Sequence, residues 1–412
     1  MNLFHLISIL IVLSAGFAYI NFRFLKLPTA IGLMLVSLLF SVIILIVGKV
    51  VPSFSIAVAG QLSNIDFSEL LLEGMLSFML FAGAIHIKIK DLISERLSII
   101  LFSTISVLLS TIIIGYTSFY LLNYYGFQVN FMNALLFGAL ISPTDPIAVL
   151  GILKSAGVPK SLETKIAGES LFNDGVAVVI FITILQLTKP GVEFEASHVA
   201  MLFGQEAIGG LLLGLLIGYI GYKLISSINH YQVEVLITLA IVMGGYTLAH
   251  YIHVSGPLAM VVAGLITGNQ SKKLGMSAIT AEYVDKFWEL LDEILNAILF
   301  VLMGLELLVI QSNNLMILVS IILIVIVLIT RYISVWIPSL VLRRKEEISK
   351  STLLILTWGG LRGGISIALA LSIPNDSNKD LFVTITYVVV CFSILVQGMT
   401  IGKLVNASKK LV

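Results

Sequence analysis

The sequence predicts an all-α polytopic membrane protein of about thirteen transmembrane helices, two of them broken at mid-membrane. Three observations lead there. The 412-residue chain is 58% hydrophobic and 11% charged, less than half the charged share of about 25% typical of soluble domains. Apolar runs long enough to cross a bilayer, about 20 residues each, recur throughout. A lone spanning segment must satisfy its own backbone in lipid, so each run reads as helix rather than strand.

The apolar segments fall at about 3–21, 28–51, 67–87, 97–122, 131–153, 164–187, 200–226, 233–252, 256–270, 284–310, 315–342, 351–373 and 380–406. The ninth is short and glycine-rich and can also be read together with the eighth. The first, in MNLFHLISILIVLSAGFAYI, has no basic stretch before its apolar run and is expected to be a retained span rather than a cleaved signal. Basic residues test the count independently. Of the 24 Lys and Arg, Arg331 and Arg362 fall inside spans. Alternating the loops between two sides puts only three, Lys49, Lys189 and Lys379, on the side of the N-terminus, and the remaining nineteen on the other. The rich side is expected to be cytoplasmic, with the N-terminus outside and the C-terminus inside, in a plasma (inner) membrane of bacterial type.

Net charge of +1 gives no reason to expect a nucleic-acid partner, and one cysteine, Cys391 in VVVCFSIL, excludes a disulfide framework. The longest polar connections are about 52–66, 188–199 and 271–283, and only NASKKLV follows the last span. The chain is therefore expected to be one transmembrane domain without a cytoplasmic regulatory domain. Its parts would be a first repeat over about 1–187, a linker helix over 200–226 and a second repeat over 233–408.

The charges that do not belong in lipid carry the functional information, since each costs about 2.5–3.5 kcal/mol at a helix centre. Asp145 sits in ISPTDPIAVL, bracketed by Pro143 and Pro146; both prolines remove a donor and clash with the preceding turn, so the fifth span should break at Thr144–Asp145. WGGLRGG (358–364) predicts a second break, in the twelfth span, with Arg362 at its centre. Alternatively, Arg362 snorkels to the cytoplasmic interface. Breaks in corresponding spans of two halves point to a transporter with inverted repeats.

In the sixth span, GESLFNDGVAVVIF, Ser170 and Asp174 share one helical column and Glu169 and Asn173 the next. A carboxylate in a dry site takes up a proton or a small cation, not both comfortably, and that competition is the core of an exchanger. Asn173 adds an oxygen without a second titratable charge, suiting a hard cation. Glu169 needs a partner, and Arg331, deep in the eleventh span, is the first choice; Glu169 could instead be protonated or wet. Glu289, Asp292 and Glu293 in DKFWELLDEIL read most simply as a wet helix face near the cytoplasmic end of the tenth span, with a cation-attracting mouth as the alternative. His250 and His253 have metal-compatible spacing but no third ligand nearby.

ISPTDPIAVLGIL, GESLFNDGVAVV and WGGLRGGISIALALSIP, in that order and spacing, resemble the monovalent cation:proton antiporters of the NhaP and eukaryotic sodium/proton exchanger group. The resemblance spans essentially all thirteen segments. It implies the NhaA-like antiporter fold, a homodimer in the bilayer, elevator-like alternating access, and no cofactor and no metal beyond the transported cation. By resemblance Asp174 is the ion- and proton-binding aspartate and Asn173 its partner. Thr144 and Asp145 match the unwound helix, Ser170 a serine near the ion, and Glu169 with Arg331 a structural ion pair. The Asn–Asp pair resembles the electroneutral branch, one cation for one proton. Many relatives carry a phenylalanine–glutamate pair in the third span, where this chain reads MLFAGAIHI with Ala82 at the glutamate's place. Sodium, lithium and potassium all remain candidates. The competing readings are an intramembrane aspartyl protease using Asp145 and Asp174, and an electrogenic transporter or channel of similar architecture.

Overall fold

The computed structural model describes residues 3–51, 60, 67–188, 196–342, 348–374 and 378–409. These form helices and turns, with no strand among the described residues. Of the basic residues tallied above, Lys189, Arg343, Arg344, Lys345 and Lys410 lie outside the described residues, as does most of 52–66 and 188–199.

In chain order the helices are α1 (Leu3–Ile20), α2 (Thr29–Val50), α3 (Phe67–Ile85), α4 (Arg96–Tyr124), α5 (Phe131–Ile141), α6 (Ile147–Ser155) and α7 (Lys160–Leu187). There follow α8 (Ala196–Ile225), α9 (Tyr231–Tyr251), α10 (Gly256–Ile266), α11 (Ala278–Leu305), α12 (Asn314–Leu342), α13 (Lys350–Trp358), α14 (Gly364–Leu371) and α15 (Lys379–Ser408). Nine helical segments among the described residues are long and apolar enough to cross a membrane, against the thirteen expected. The other four have physical reasons to fall short. The fifth and twelfth segments are each split in two, and the ninth is short. The tenth begins at Ala278 rather than 284, and its stretch up to residue 293 carries Glu282, Asp285, Lys286, Glu289, Asp292 and Glu293.

The ninth segment is a helix in its own right rather than an extension of the eighth. α9 stops at Tyr251, and Ser255 Oγ accepts the Leu258 N–H at 3.3 Å to start α10; Pro257 fits the first turn, where no donor is needed. Almost every residue of α10 is buried, because glycines bring its neighbours close. Gly210, Gly214 and Gly218 form a stripe on α8, at the four-residue spacing that lets membrane helices approach. A Cβ on Gly214 would lie 2.5 Å from the Ala259 carbonyl oxygen, and one on Gly210 2.5 Å from that of Ser255. On its other face α10 presents Gly264, against the Phe81 carbonyl of α3.

A second bundle holds the broken pair: α4 packs on α5 and α12, α12 on α15, and α5 on α7. The two bundles meet where α7 touches α8 and α10 and where α11 touches α14. The site lies in that seam.

Replacing Gly214 by leucine should force α8 and α10 apart, lowering stability by about 1–3 kcal/mol as overpacking does. Gly204, four-ångström clear on the same helix, should accept alanine with no loss. Thermal unfolding of both variants in detergent checks the contrast.

Candidate ion site at the helix breaks

The chain cannot stay helical through Ser142–Pro146, and the structure shows why the break is tolerated. α5 ends at Ile141 and α6 begins at Ile147, with Pro143 to Pro146 outside either helix. Ending a helix frees the carbonyls of its last turn and the N–H groups of the next. The second break, Gly359 to Gly363, supplies the partners. Arg362 Nη1 donates to the carbonyls of Ser142 at 2.5 Å and Pro143 at 2.9 Å, placing a cation at the negative end of α5. The Asp145 N–H donates to the Leu361 carbonyl at 2.8 Å, joining the two unwound stretches directly. Arg362 is 2% exposed, so it does not snorkel to an interface.

Asp145 does the converse work. Its Oδ1 accepts the Ile147 N–H at 2.9 Å at the start of α6, and its carboxylate lies against Gly363, where any Cβ would collide with it. Gly363 is the residue at the head of α14. One carboxylate thus faces two helix N-termini, the ends that favour negative charge.

α15 completes the crossing by widening into a π turn at Ser393–Gln397. Ser393 Oγ accepts the Arg362 N–H at 2.9 Å and donates to Gln397 Oε1 at 2.7 Å; Gln397 Nε2 then donates to the Trp358 carbonyl at 3.0 Å. Such turns project side chains that a regular helix would turn away.

α7 brings the remaining groups. Ser170 Oγ donates to the Thr144 carbonyl at 2.6 Å and Asn173 Nδ2 to Thr144 Oγ1 at 2.7 Å, so Thr144 is fixed from two sides. Asp174, 9% exposed, is turned toward a cavity of about 580 Å³ that Thr144, Asp145 and Ser170 also line. The cavity runs from these residues to Lys88, Asp91, Lys154, Lys160 and Glu163, at helix ends and connections on the basic-rich side. α3 contributes Ala82 and Gly83 to its wall, without a carboxylate. A cavity whose largely apolar wall carries a few oxygens and reaches a buried aspartate can admit a small cation and a proton to the same group.

Glu169 and Arg331 sit behind this wall. Arg331 Nη1 lies 2.6 Å from Glu169 Oε1, and Arg331 Nη2 donates to the Leu356 carbonyl at 3.2 Å, near the end of α13. The pair ties α7 to α12 and α13 without lining the cavity. Asn173, fully buried, likewise reaches the site through Thr144 rather than from the wall.

Two lining residues were not assigned to the site from sequence. Asp292, read there as part of a wet face or mouth, lines the cavity, whereas its neighbours Glu289 and Glu293 are exposed and do not. The signal was its spacing from Leu299, seven residues on, which repeats one helical face and also lines the cavity. Ser366, in α14, is the other, and nothing in its sequence context marks it beyond the three-residue step from Gly363.

Removing one partner of a buried pair leaves an uncompensated charge, worth about 3–5 kcal/mol. Arg331→Met should therefore lower the melting temperature sharply, and the double variant with Glu169→Leu should recover part of the loss. Melting curves of the two single variants and the double check this.

Residues 9–407 match the family model described as Sodium/hydrogen exchanger, transmembrane. The chain is 49% identical over 406 residues to the Na(+)/H(+) antiporter NhaP of Pseudomonas aeruginosa, covering 97% of this chain and 96% of that one. It is 35% identical to the Na(+)/H(+) antiporter NhaH of Halobacillus dabanensis, covering 97% of each. The solved structure of the sodium proton antiporter MjNhaP1 from Methanocaldococcus jannaschii at pH 8 superposes with a TM-score of 0.74 at 20% identity, over 98% of this chain and 97% of that one. The fold is that of a solved antiporter, the relatives are antiporters over their full lengths, and the chain belongs to the sodium/hydrogen exchanger family.

Proposed function

We propose that the protein is a secondary antiporter that exchanges a monovalent cation, sodium in the first instance, for a proton across the membrane. The observation that carries the reading is Asp174: a buried carboxylate at the inner end of a cavity whose other polar walls include Thr144, Asp145 and Ser170. Desolvation disfavours the bare anion, so the group takes a proton or a cation, and loading one expels the other. The oxygen donors on the wall suit an alkali cation, and sodium is put first because the relatives' names specify it.

Exchange is one for one in this reading, since Asn173 beside Asp174 provides no second titratable group. The cavity opens toward the loops that carry most of the basic residues, which the positive-inside rule assigns to the cytoplasm; the conformation is then inward-open, with the N-terminus outside. Thirteen spans in two inverted repeats, a homodimer and an elevator-like movement of the broken pair complete the proposal. They draw on family membership and on the opposed helix breaks that meet at the Asp145–Leu361 hydrogen bond. An aspartyl protease built on Asp145 and Asp174 finds no support beside membership in a transporter family.

In proteoliposomes with a preset pH gradient and clamped potential, sodium, lithium or potassium should collapse the gradient through the wild-type protein. Asp174→Asn, which can neither release a proton nor balance a cation, should fall to the protein-free rate. A wild type inert to all three cations between pH 6 and 9, roughly the range such carboxylates reach, would overturn the reading. Asn173→Asp adds a second titratable group; if activity survives, transport should become sensitive to membrane potential, read as a current that the wild type lacks.

A further inference from the structure

Many buried hydroxyls in these helices donate to the carbonyl one turn back: Thr183 to Val179 at 2.7 Å, Thr267 to Ala263 at 2.9 Å and Thr357 to Leu353 at 2.8 Å. Ser366 does not. It is 1% exposed, and among the described residues its Oγ is one of five buried Ser and Thr hydroxyls without a hydrogen-bond partner, the others being those of Ser14, Ser106, Ser271 and Thr386; of the five, only Ser366 lines the cavity. The cause is its place in the chain. Ser366 lies in the first turn of α14, which begins at Gly364, so the residues three and four back, Gly363 and Arg362, precede the helix. A buried hydroxyl left without a partner costs about 1–3 kcal/mol, and each such group in a folded chain calls for an explanation.

The surroundings provide one. Ser366 lines the same cavity as Asp174, Asp145 and Ser170. Gly363 is pressed against the Asp145 carboxylate, and a residue three positions on lies over the same helical face. Its free oxygen is matched by another: Asn173 Oδ1 is buried and unpartnered while its Nδ2 is committed to Thr144. The positive end of α14 would oppose a cation here, but the Asp145 carboxylate lies against that end and offsets it.

We infer that Ser366 is an oxygen ligand of the transported cation, contributed by the second broken helix to the cavity that Asp174 also lines. The inference rests on the antiport reading and extends it. With it, both unwound helices contribute to the site: the first through Asp145 and Thr144, the second through the Ser366 hydroxyl. A hydroxyl oxygen is a hard, neutral donor that suits sodium or lithium and adds no charge to the one-for-one exchange.

The test compares wild type with Ser366→Ala, using sodium chloride and lithium chloride as probes. Two quantities are read: the apparent KM for the cation in gradient collapse, and the cation-induced rise in melting temperature of the purified protein, since a ligand stabilises the state that binds it. Loss of one neutral ligand should raise the apparent KM about three- to tenfold and shrink the cation-induced shift, while the maximal rate at saturating cation persists. The melting temperature without cation should hold or rise, because an orphaned hydroxyl has been removed. Unchanged KM and unchanged shift in an active variant overturn the inference and leave antiport standing, as does a lowered cation-free melting temperature with unchanged KM, which marks a structural role. A wild type that neither exchanges nor is stabilised by either cation removes the antiport reading and the inference together.

Discussion

The contact on which the molecule depends is the bridge from Arg362 to the Ser142 and Pro143 carbonyls. Nothing in lipid would satisfy a helix interrupted halfway across, and an unpaired backbone group there costs several kcal/mol. Each break would be untenable alone. Set against each other, one supplies a guanidinium for the other's carbonyls and accepts an N–H from it in return. The prolines make the first break unavoidable and the glycines allow the second to come within reach. The functional site is the consequence: once the backbone is unwound and satisfied, side chains between the helices face a cavity instead of a neighbour.

Around that crossing the protein places charge according to helix polarity. Arg362 lies at the C-terminal end of α5, and Arg331 reaches a carbonyl near the end of α13. Asp145 lies at the starts of α6 and α14. Glu169 then neutralises Arg331, leaving the scaffold charges paired with each other or with dipoles. The scaffold beyond is built on a different principle. The α8–α10–α3 contact rests on the absence of side chains at Gly210, Gly214 and Gly264, which suits membrane packing, where apolar burial gives helices no preference for each other over lipid.

Much of this was legible in the sequence because the informative residues are ones that lipid makes expensive. Asp145 between prolines, Arg331 and Arg362 inside apolar runs, and the Glu169–Asp174 stripe all stand out against an apolar background. The spans were found for the same reason, except where the background failed. The acidic early part of α11 hid its helical start at Ala278, and the clustering of three acids within five residues masked that Asp292 faces the cavity while Glu289 and Glu293 do not. Ser366, Ser393 and Gln397 were invisible for the opposite reason. Small polar residues are cheap in membrane helices, because a hydroxyl can usually bond the carbonyl one turn back, so their identity carries no alarm. Only the positions of the break and of the π turn reveal that these three have other work.

The division between the two cavity aspartates follows from the same geometry. Asp145 and Asp174 are both carboxylates on the cavity wall, and composition alone would let either exchange. Asp145 is already engaged: it accepts the Ile147 N–H, faces the start of α14, and its main-chain N–H holds the crossing together. Protonating it would remove the charge that offsets two helix ends and so work against the crossing itself. Asp174 stands in the middle of an unbroken helix, with no hydrogen bond that the fold requires of it. Its charge can therefore come and go with the cargo while the scaffold stays intact. In the proposed cycle Asp145 is the fixed charge that keeps the site electrostatically neutral toward a cation, and Asp174 is the variable one. A site made of one fixed and one variable carboxylate, with neutral oxygens between them, would move a single charge equivalent in each direction, and this is the physical argument on which the proposed one-for-one exchange rests.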